Sequence, residues 1–283
     1  MNQKRTFAGI PLQYTNRATS NIYLQSIPYD GTSTWGKGAD KGFDAFMEAA
    51  ENMELYDIET GIEVYKEGIH ILNEAPDFAT PQQMFDYTYQ NAKSLLQDEK
   101  FLTFFGGEHS ISIGLIKAHY EHFEDLTILQ LDAHADLRKE YDGTPYNHAC
   151  AVYDAGKNAN LVQVGIRSMD ISEKEEMNYD KVFFADEIKY NNYWDDQAMD
   201  QMTQNVYITL DLDVFDPSIM PATGTSEPGG LHWYLVTSFL RRVFEERNVV
   251  GFDIVELAPI AGLHAPQYLA AKLYYKMLSY KFC

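Results

Sequence analysis

Residues 127–136 read TILQLDAHAD, in which a short apolar run ends in three polar side chains two residues apart. The run Thr127–Leu131 has the length and the apolar, β-branched content of a strand buried on both faces, as in a parallel sheet. In an extended chain, the side chains of Asp132, His134 and Asp136 point to the same side. This stretch therefore predicts a buried parallel strand whose carboxyl end carries a functional cluster.

The same alternation of short apolar runs and amphipathic stretches continues along the chain. Further strands are predicted at Ile22–Ile27, Phe101–Phe105, Leu161–Gly165, Lys181–Ala185, Val206–Leu212 and Val249–Val255. Helices are predicted at Phe43–Met53, Pro81–Gln97, Ser112–Phe123, Tyr193–Thr203, His232–Arg247 and Pro266–Ser279. One helix start is marked by Thr80 as the N-cap, with Pro81 at the first helical position. Alternating strands and helices are typical of an α/β fold, and the pattern alone leaves an open doubly wound sheet and a closed eightfold barrel as alternatives.

Composition narrows the class of protein. The chain has 283 residues without a repeat or linker, so we expect a single domain over residues 1–283. Its 42 acidic and 22 basic residues give a formal net charge of −20, which disfavours nucleic acid and suits a cationic partner. Two cysteines cannot build a disulfide framework. The stretch Met1–Arg5 is not an apolar signal core and no apolar run reaches the roughly 18 residues of a membrane span, so we expect a cytoplasmic protein without a membrane partner.

Three other predicted strands also end in polar residues, where functional residues gather in both α/β architectures. The strands run into GGEHS at 106–110, into DLD at 211–213 and into Glu256. A lone D-x-H-x-D motif is usually a solvated loop, and Asp211-x-Asp213 lacks the third ligand and the glycine of a calcium loop. The joint placement of the clusters after separate strands is what indicates one site.

Carboxylates that converge at the end of a buried sheet repel one another and lose their hydration, and divalent cations offset both costs. Carboxylate and imidazole ligands without a thiolate favour a hard or borderline ion such as Mn²⁺. Six candidates exceed the need of one ion, so we expect two ions roughly 3.5–4 Å apart, bridged by carboxylates and a water. The candidate ligands are His109, Asp132, His134, Asp136, Asp211 and Asp213.

These clusters together resemble the ureohydrolase family, which comprises arginases, agmatinases and related guanidino or formimino hydrolases. The matching stretches are GGEHS at 106–110, DAHAD at 132–136, TLDLDVFDP at 209–217, PATGT at 221–225 and DIVE at 253–256. The similarity extends from about Pro28 to Pro259. It implies a three-layer αβα domain around a mostly parallel sheet, with two Mn²⁺ ions on the six candidate ligands. The family usually has Asp at the position of Glu108 and Gly at that of Ala222, and neither is a direct ligand.

The resemblance also implies roles for individual residues. His148 matches the family's proton-transfer histidine, Glu256 matches the carboxylate that holds the guanidinium group, and we expect Thr225 to contact substrate. Two cations lower the pKa of a shared water from 15.7 towards ~7. Asp136 then both ligates a cation and accepts a hydrogen bond from that water. His148, near its ordinary pKa, carries a proton to the leaving nitrogen.

The motifs are most similar to those of bacterial agmatinases, so we expect cleavage of agmatine to putrescine and urea, a step of polyamine biosynthesis. Arginine, guanidinobutyrate and formiminoglutamate are the alternative substrates, and a non-catalytic, metal-binding regulatory relative is the alternative function. Because relatives form trimers or hexamers, we expect a homo-oligomer.

Other reactive side chains are interpreted as structural or solvated. Cys150 lies near a histidine, but no orienting third group indicates a Cys–His nucleophile. His119 and His122 are interpreted as solvated positions on a surface helix. Arg138 and Lys139 are interpreted as solvated loop charges, with the alternative that either contacts a substrate carboxylate if it points inwards.

Overall fold

The computed structural model describes residues 5–283, so most of the N-terminal stretch that bears on localisation lies outside the described residues. The strands are β1 Ile22–Ile27, β2 Ile69–Ile71, β3 Phe101–Gly106, β4 Leu126–Leu131, β5 Asn160–Ile166, β6 Val182–Phe184, β7 Asn205–Asp211 and β8 Asn248–Val255. The helices are α1 Gly42–Ala50, α2 Pro81–Leu95, α3 Ile111–His122, α4 Tyr153–Asn158, α5 Ala185–Ile188, α6 Trp194–Asp200, α7 Trp233–Glu246 and α8 Ala265–Phe282.

All eight strands of the described chain form one parallel sheet in the order β2-β1-β3-β8-β7-β4-β5-β6. Because β2 and β6 are free edges, the sheet is open, which decides between the two alternatives left by the sequence pattern. Leu131 lies opposite Leu210, and Asp211 lies opposite Val255. The carboxyl ends of the central strands therefore finish at the same level.

Helices cover both faces of the sheet and produce the three-layer αβα fold expected from the resemblance. Apolar side chains of α1 and α5–α8 form one core with one face of the strands, and those of α2–α4 form a second core with the other face. Along β1, Ile22 and Leu24 enter the first core and Tyr23 enters the second. Such alternation lets a strand be apolar throughout and still pack on both sides.

Differences from the predicted elements are local. The edge strand β2 was not predicted, because three residues are too few to show a periodicity. The strand predicted over Lys181–Ala185 is shorter, since Ala185 opens α5. The predicted cap is present: the Thr80 hydroxyl accepts the backbone N–H of Gln83 at 3.2 Å. Within residues 5–283, every helix is too short or too polar to cross a bilayer.

The interpretation of His119 as a solvated residue is wrong, although His122 is exposed as expected. Helix α3 lies under α2 and α4, so nearly all of its faces are covered. The His119 ring is fully buried with its centroid 4.2 Å from that of Tyr207, and its Nδ1 lies 2.7 Å from the carbonyl of Leu115. Burial lowers the pKa of His119 to about 4.

This buried imidazole predicts an acid-sensitive contribution to stability. An unfolded histidine takes up a proton below pH ~6.5, whereas folded His119 does so only near pH 4. The unfolded state therefore binds more protons between these values, and stability falls by roughly 3 kcal/mol as the pH drops through that window. His119→Phe keeps an aromatic ring and cannot titrate, so its unfolding free energy should fall less over that range in urea titrations. Identical pH profiles for the two proteins would contradict this assignment.

Candidate active site

The four polar clusters of the sequence follow the four adjacent central strands, β3, β8, β7 and β4. His109 lies in the turn after β3, the Asp132–Asp136 stretch follows β4, Asp211 ends β7, and Glu256 follows β8. Parallel strands present their carboxyl ends at one edge, so these side chains meet above the middle of the sheet. They border a cavity of about 280 Å³.

Carboxylates and imidazoles form two overlapping groups at the base of this cavity. One group comprises His109, Asp132 and Asp211, and the other comprises Asp132, His134 and Asp213. The Oδ2 atom of Asp132 lies 3.0 Å from Nδ1 of His109, and its Oδ1 lies 3.7 Å from Nδ1 of His134. Asp132 therefore offers one oxygen to each group, as a carboxylate bridging two cations would.

The Nδ1 atom of His109 faces this cluster and carries no proton. Its Nε2 lies 2.9 Å from the Thr209 hydroxyl, whose own proton goes to Asp253 at 2.7 Å. The Thr209 oxygen is therefore the acceptor, Nε2 carries the proton, and Nδ1 keeps its lone pair. That buried Nδ1 has no hydrogen-bond partner among the described residues and faces Asp136 at 3.1 Å and Asp211 at 3.4 Å. A lone pair surrounded by carboxylate oxygens is an arrangement that a cation satisfies.

The pKa shifts of the buried carboxyl groups also indicate a cation site. Burial, together with repulsion from Asp132, raises the pKa of Asp136 to about 7. Burial and the neighbouring Asp213 raise the pKa of Asp211 well above its ordinary value. Burial by itself would raise the pKa of Asp132 as well, but the contacts of Asp132 with the two imidazoles hold its pKa below the ordinary range. The anionic forms of Asp136 and Asp211 are therefore unfavourable without a cation, and the donor set fits a pair of hard or borderline divalent cations.

Backbone packing and hydrogen bonds fix the position of the segments that carry the candidate metal ligands. A Cβ atom on Gly107 would lie 2.1 Å from the Tyr29 carbonyl oxygen, so only glycine allows the turn that delivers His109. The guanidinium of Arg167 donates to the backbone carbonyls of Asp213 at 2.6 Å and Glu227 at 2.9 Å. Arg167 therefore ties the loop after β7 to the segment that forms the cavity wall. No sequence signal singled out this arginine.

Two of the predicted functional residues have unusual backbone geometry. Asp136 has φ of +51° and Glu256 has φ of +68°, in the left-handed region that non-glycine residues seldom adopt. Such positions cost of order 1–3 kcal/mol and concentrate at functional sites. The backbone here aims each carboxylate into the cavity, which a sequence pattern of strands and turns does not predict.

The Glu256 carboxylate lines the same cavity beside the metal-ligand residue His109. Its Oε1 accepts the backbone N–H of His109 at 2.8 Å. Its Oε2 faces Gly224, whose carbonyl accepts the N–H of Gly36 at 3.2 Å. Burial, then repulsion from Glu108, raises the pKa of Glu256 well above its ordinary value. A planar cation placed against this carboxylate would favour its ionised form.

His148 lines the same cavity and is held by Thr32. The Nδ1 atom of His148 lies 3.2 Å from the Thr32 hydroxyl, which also contacts the buried carboxylate of Glu108 at 2.9 Å. Burial of the ring, followed by the electrostatic influence of the nearby His109 and His134, lowers the pKa of His148 to about 4. The expectation of an ordinary pKa is therefore wrong, and the resting imidazole is neutral.

The wall above the metal-ligand groups carries further polar residues. Thr225 lines the cavity as expected, while Arg138, read from the sequence as solvated, also lines it with its guanidinium 4.4 Å from the ring centroid of Tyr141. Lys139 is exposed, as expected. The wall also includes Trp35, Asp170, Glu173 and Glu227, which no sequence motif singled out.

Cys150 is buried beside this wall, and burial together with the charge of Asp136 raises the pKa of its thiol to about 12. A thiol with such a pKa stays protonated near neutrality, and the reactive form is the thiolate. This agrees with the sequence-based view that Cys150 is not a nucleophile.

The parallel α/β fold and the two ligand groups define the class of protein, a metal-dependent hydrolase with its site at the carboxyl edge of the sheet. The model of the Arginase family matches residues 20–279. The chain therefore belongs to the arginase family, as an enzyme of the agmatinase type of ureohydrolase. The resemblance identified from the motifs is thus confirmed at the level of family and fold.

Three relatives illustrate the similarity. The N(1)-aminopropylagmatine ureohydrolase of Synechocystis is 33% identical over 99% of this chain and 97% of that protein. The agmatinase of Bacillus subtilis is 30% identical over 85% of this chain and 84% of its own length. The crystal structure of the agmatine ureohydrolase of Thermoplasma volcanium superposes with a TM-score of 0.88 at 29% identity, covering 99% of this chain and 95% of that one.

Proposed function

We propose that this protein hydrolyses the guanidino group of agmatine, with two Mn²⁺ ions as cofactor, and releases putrescine and urea. The observation that carries the proposal is the carboxylate of Glu256, which lines the cavity and accepts the backbone N–H of the candidate ligand His109. A guanidinium group in two parallel hydrogen bonds to this carboxylate would have its central carbon over the ligand groups. When bound, the cations lower the pKa of a shared water and supply the nucleophile.

The protein side chains have distinct tasks in this proposal. Glu256 binds and orients the guanidinium group, because its charge and planar geometry match that group. Asp136 would hold a cation and would accept a hydrogen bond from the attacking water. His148 is neutral and lines the cavity, so it takes up a proton during the reaction and delivers it to the leaving nitrogen. Water adds to the carbon, the carbon–nitrogen bond to the alkyl chain breaks, and urea and a primary amine leave.

The charge of the cavity wall favours a cationic tail on the substrate. Asp170 and Glu227 lie on the wall, and the Oε1 atom of Glu227 is 3.9 Å from Nε2 of His134. Among the described residues, Arg138 is the one arginine or lysine on the wall, and it already lies 3.9 Å from both Asp170 and Glu173. An ammonium group therefore meets net negative charge, whereas the carboxylate of arginine or guanidinobutyrate meets repulsion.

N(1)-aminopropylagmatine is a second candidate substrate, which cleavage would convert to spermidine and urea. Trp35 lines the mouth of the cavity and is 85% exposed, so it offers an aromatic face to an extended cationic chain. The relative from Synechocystis, which covers nearly the whole chain, carries this substrate in its name. The added aminopropyl group brings a further positive charge to an acidic wall.

A substrate panel tests the proposal. With added Mn²⁺, we expect urea from agmatine and N(1)-aminopropylagmatine, and at least about tenfold lower kcat/KM with arginine, guanidinobutyrate and formiminoglutamate. Replacing Asp170 by Asn should raise KM for the cationic substrates while leaving kcat unchanged, because the residue lies on the wall and away from the ligand groups. Absence of urea from every guanidino compound would instead favour a metal-binding regulator, and efficient turnover of arginine would overturn the preference for a cationic tail.

We also propose that the protein is a cytoplasmic homo-oligomer, a trimer or a hexamer. Exposed apolar side chains on α7 and around the start of α8 support association, and they include Tyr234, Leu235, Ile260, Leu263 and Tyr268. Light scattering coupled to gel filtration measures the number of subunits, and a monomer at micromolar concentration would contradict the proposal.

A further inference from the structure

The hydroxyl group of Thr32 contacts both the backbone and the ring of His148. The Thr32 Oγ1 atom accepts the backbone N–H of His148 at 3.1 Å and lies 3.2 Å from Nδ1 of the same residue. It also lies 2.9 Å from Oε1 of Glu108. Thr32 and Glu108 are both buried, so these contacts are shielded from bulk solvent.

Backbone donors settle the direction of these hydrogen bonds. The N–H of Thr32 donates to Oε1 of Glu108 at 3.2 Å, and the N–H of Ser110 donates to Oε2 at 3.0 Å. A backbone N–H cannot accept, so both oxygens of Glu108 are acceptors. Two accepting oxygens are those of an ionised carboxylate, which has no proton to donate, so the single proton of the Thr32 hydroxyl goes to Glu108. Its remaining lone pair faces Nδ1 of His148, and this contact is a hydrogen bond only when Nδ1 carries a proton.

We propose that Thr32 is a positioning residue for proton transfer: by linking the Glu108 carboxylate to His148, it holds the imidazole with its proton on Nδ1. The other ring nitrogen, Nε2, is then the free acceptor that takes a proton from the reaction. This inference rests on the proposed function, in which His148 carries that proton.

A second histidine of the site, His109, is held by the same arrangement of a buried carboxylate and a threonine, but there the other ring nitrogen carries the proton. Asp253 and Thr209 hold the proton of His109 on Nε2 and free Nδ1 for a cation. Glu108 and Thr32 hold the proton of His148 on Nδ1 and free Nε2. In both cases a buried carboxylate orients a threonine, and the threonine selects one imidazole tautomer.

Two substitutions at Thr32 separate the hydroxyl from the shape of the side chain. Thr32→Val replaces the hydroxyl by a methyl group, and Thr32→Ser keeps the hydroxyl. We expect Thr32→Val to lower kcat roughly 10- to 100-fold, somewhat less than the loss of a complete acid–base group, with KM and metal content unchanged. Thr32→Ser should stay within about threefold of the unaltered protein. A Thr32→Val protein with normal kcat, or equal losses in both variants, would overturn the inference.

A double-variant cycle then shows whether Thr32 acts through His148. In a His148→Asn background, residual urea release should be the same with Thr or Val at position 32, because there is no imidazole left to orient. A full additional loss in that background overturns the inference, as does loss of metal from Thr32→Val, since either result means that Thr32 acts through another group. Failure of the proposed function is a different result: the unaltered protein would then release no urea from any guanidino substrate.

Discussion

Alanine in place of Asp136 is expected to abolish urea release, with a fall in kcat of at least about 10³-fold, because activation of the water depends on the cations. The Asp136 carboxylate lies 3.1 Å from Nδ1 of His109, and burial and repulsion raise its pKa to about 7. A carboxylate with this pKa is only about half ionised at neutral pH, and a cation beside it would favour the ionised form. Its loss should therefore lower both metal content and turnover, measured by elemental analysis and by urea release with excess Mn²⁺.

Two further variants make this result specific. Asp136 has a left-handed φ, which alanine adopts with strain and asparagine tolerates, so Asp136→Asn separates loss of charge from loss of backbone geometry. Glu140→Ala removes one negative charge from an exposed position in the same loop and should leave activity and metal content unchanged. An Asp136→Ala protein that is fully loaded and active would exclude Asp136 from the metal ligands.

The second large effect is expected from Glu256→Gln, which should retain metal and lose roughly 10²- to 10³-fold in kcat/KM. Glutamine can still accept the N–H of His109 through its side-chain oxygen, so the local structure is preserved. The charge that pairs with the guanidinium group is removed, and truncating a buried charge pair costs about 3–5 kcal/mol. Steady-state kinetics with agmatine and elemental analysis measure the two quantities separately.

Glu227→Gln is the matched comparison for Glu256→Gln. It removes the same charge from the cavity wall, where the side chain is 32% exposed and water screens the interaction. Its effect should be less than tenfold and confined to KM. Unchanged kinetics in Glu256→Gln, or equal losses in both variants, would show that Glu256 does not hold the guanidinium group.

Strands and helices differ in how well the sequence alone predicted them. The central strands were predicted closely because strands buried on both faces need a continuous apolar run. The strand β2 was missed because its three residues carry no period, and α3 was misjudged as a surface helix because the cover provided by α2 and α4 is non-local. The same non-local burial shifts the pKa of His148 away from its ordinary value.

The residues around the predicted metal ligands also divide into those that a sequence motif marks and those that only the fold brings to the site. Asp253 was visible as part of a motif, whereas Thr32, Arg167 and Glu227 stand in loops without a recognisable pattern. Thr32 meets His148 across 116 residues of chain, and Arg167 meets Glu227 across 60. Contacts of this kind depend on how loops from different strands fold over one edge of the sheet.

The amino-acid sequence by itself determined the α/β class, the family and the set of side chains that converge on one site, because apolar runs and polar strand ends are local features. Only the tertiary structure decided that the sheet is open, which Asp132 oxygen faces which imidazole, and which nitrogen of His109 and of His148 is left bare. Strand order, burial and hydrogen-bond direction arise from contacts between distant segments, and those contacts set the charge and the tautomer of each group.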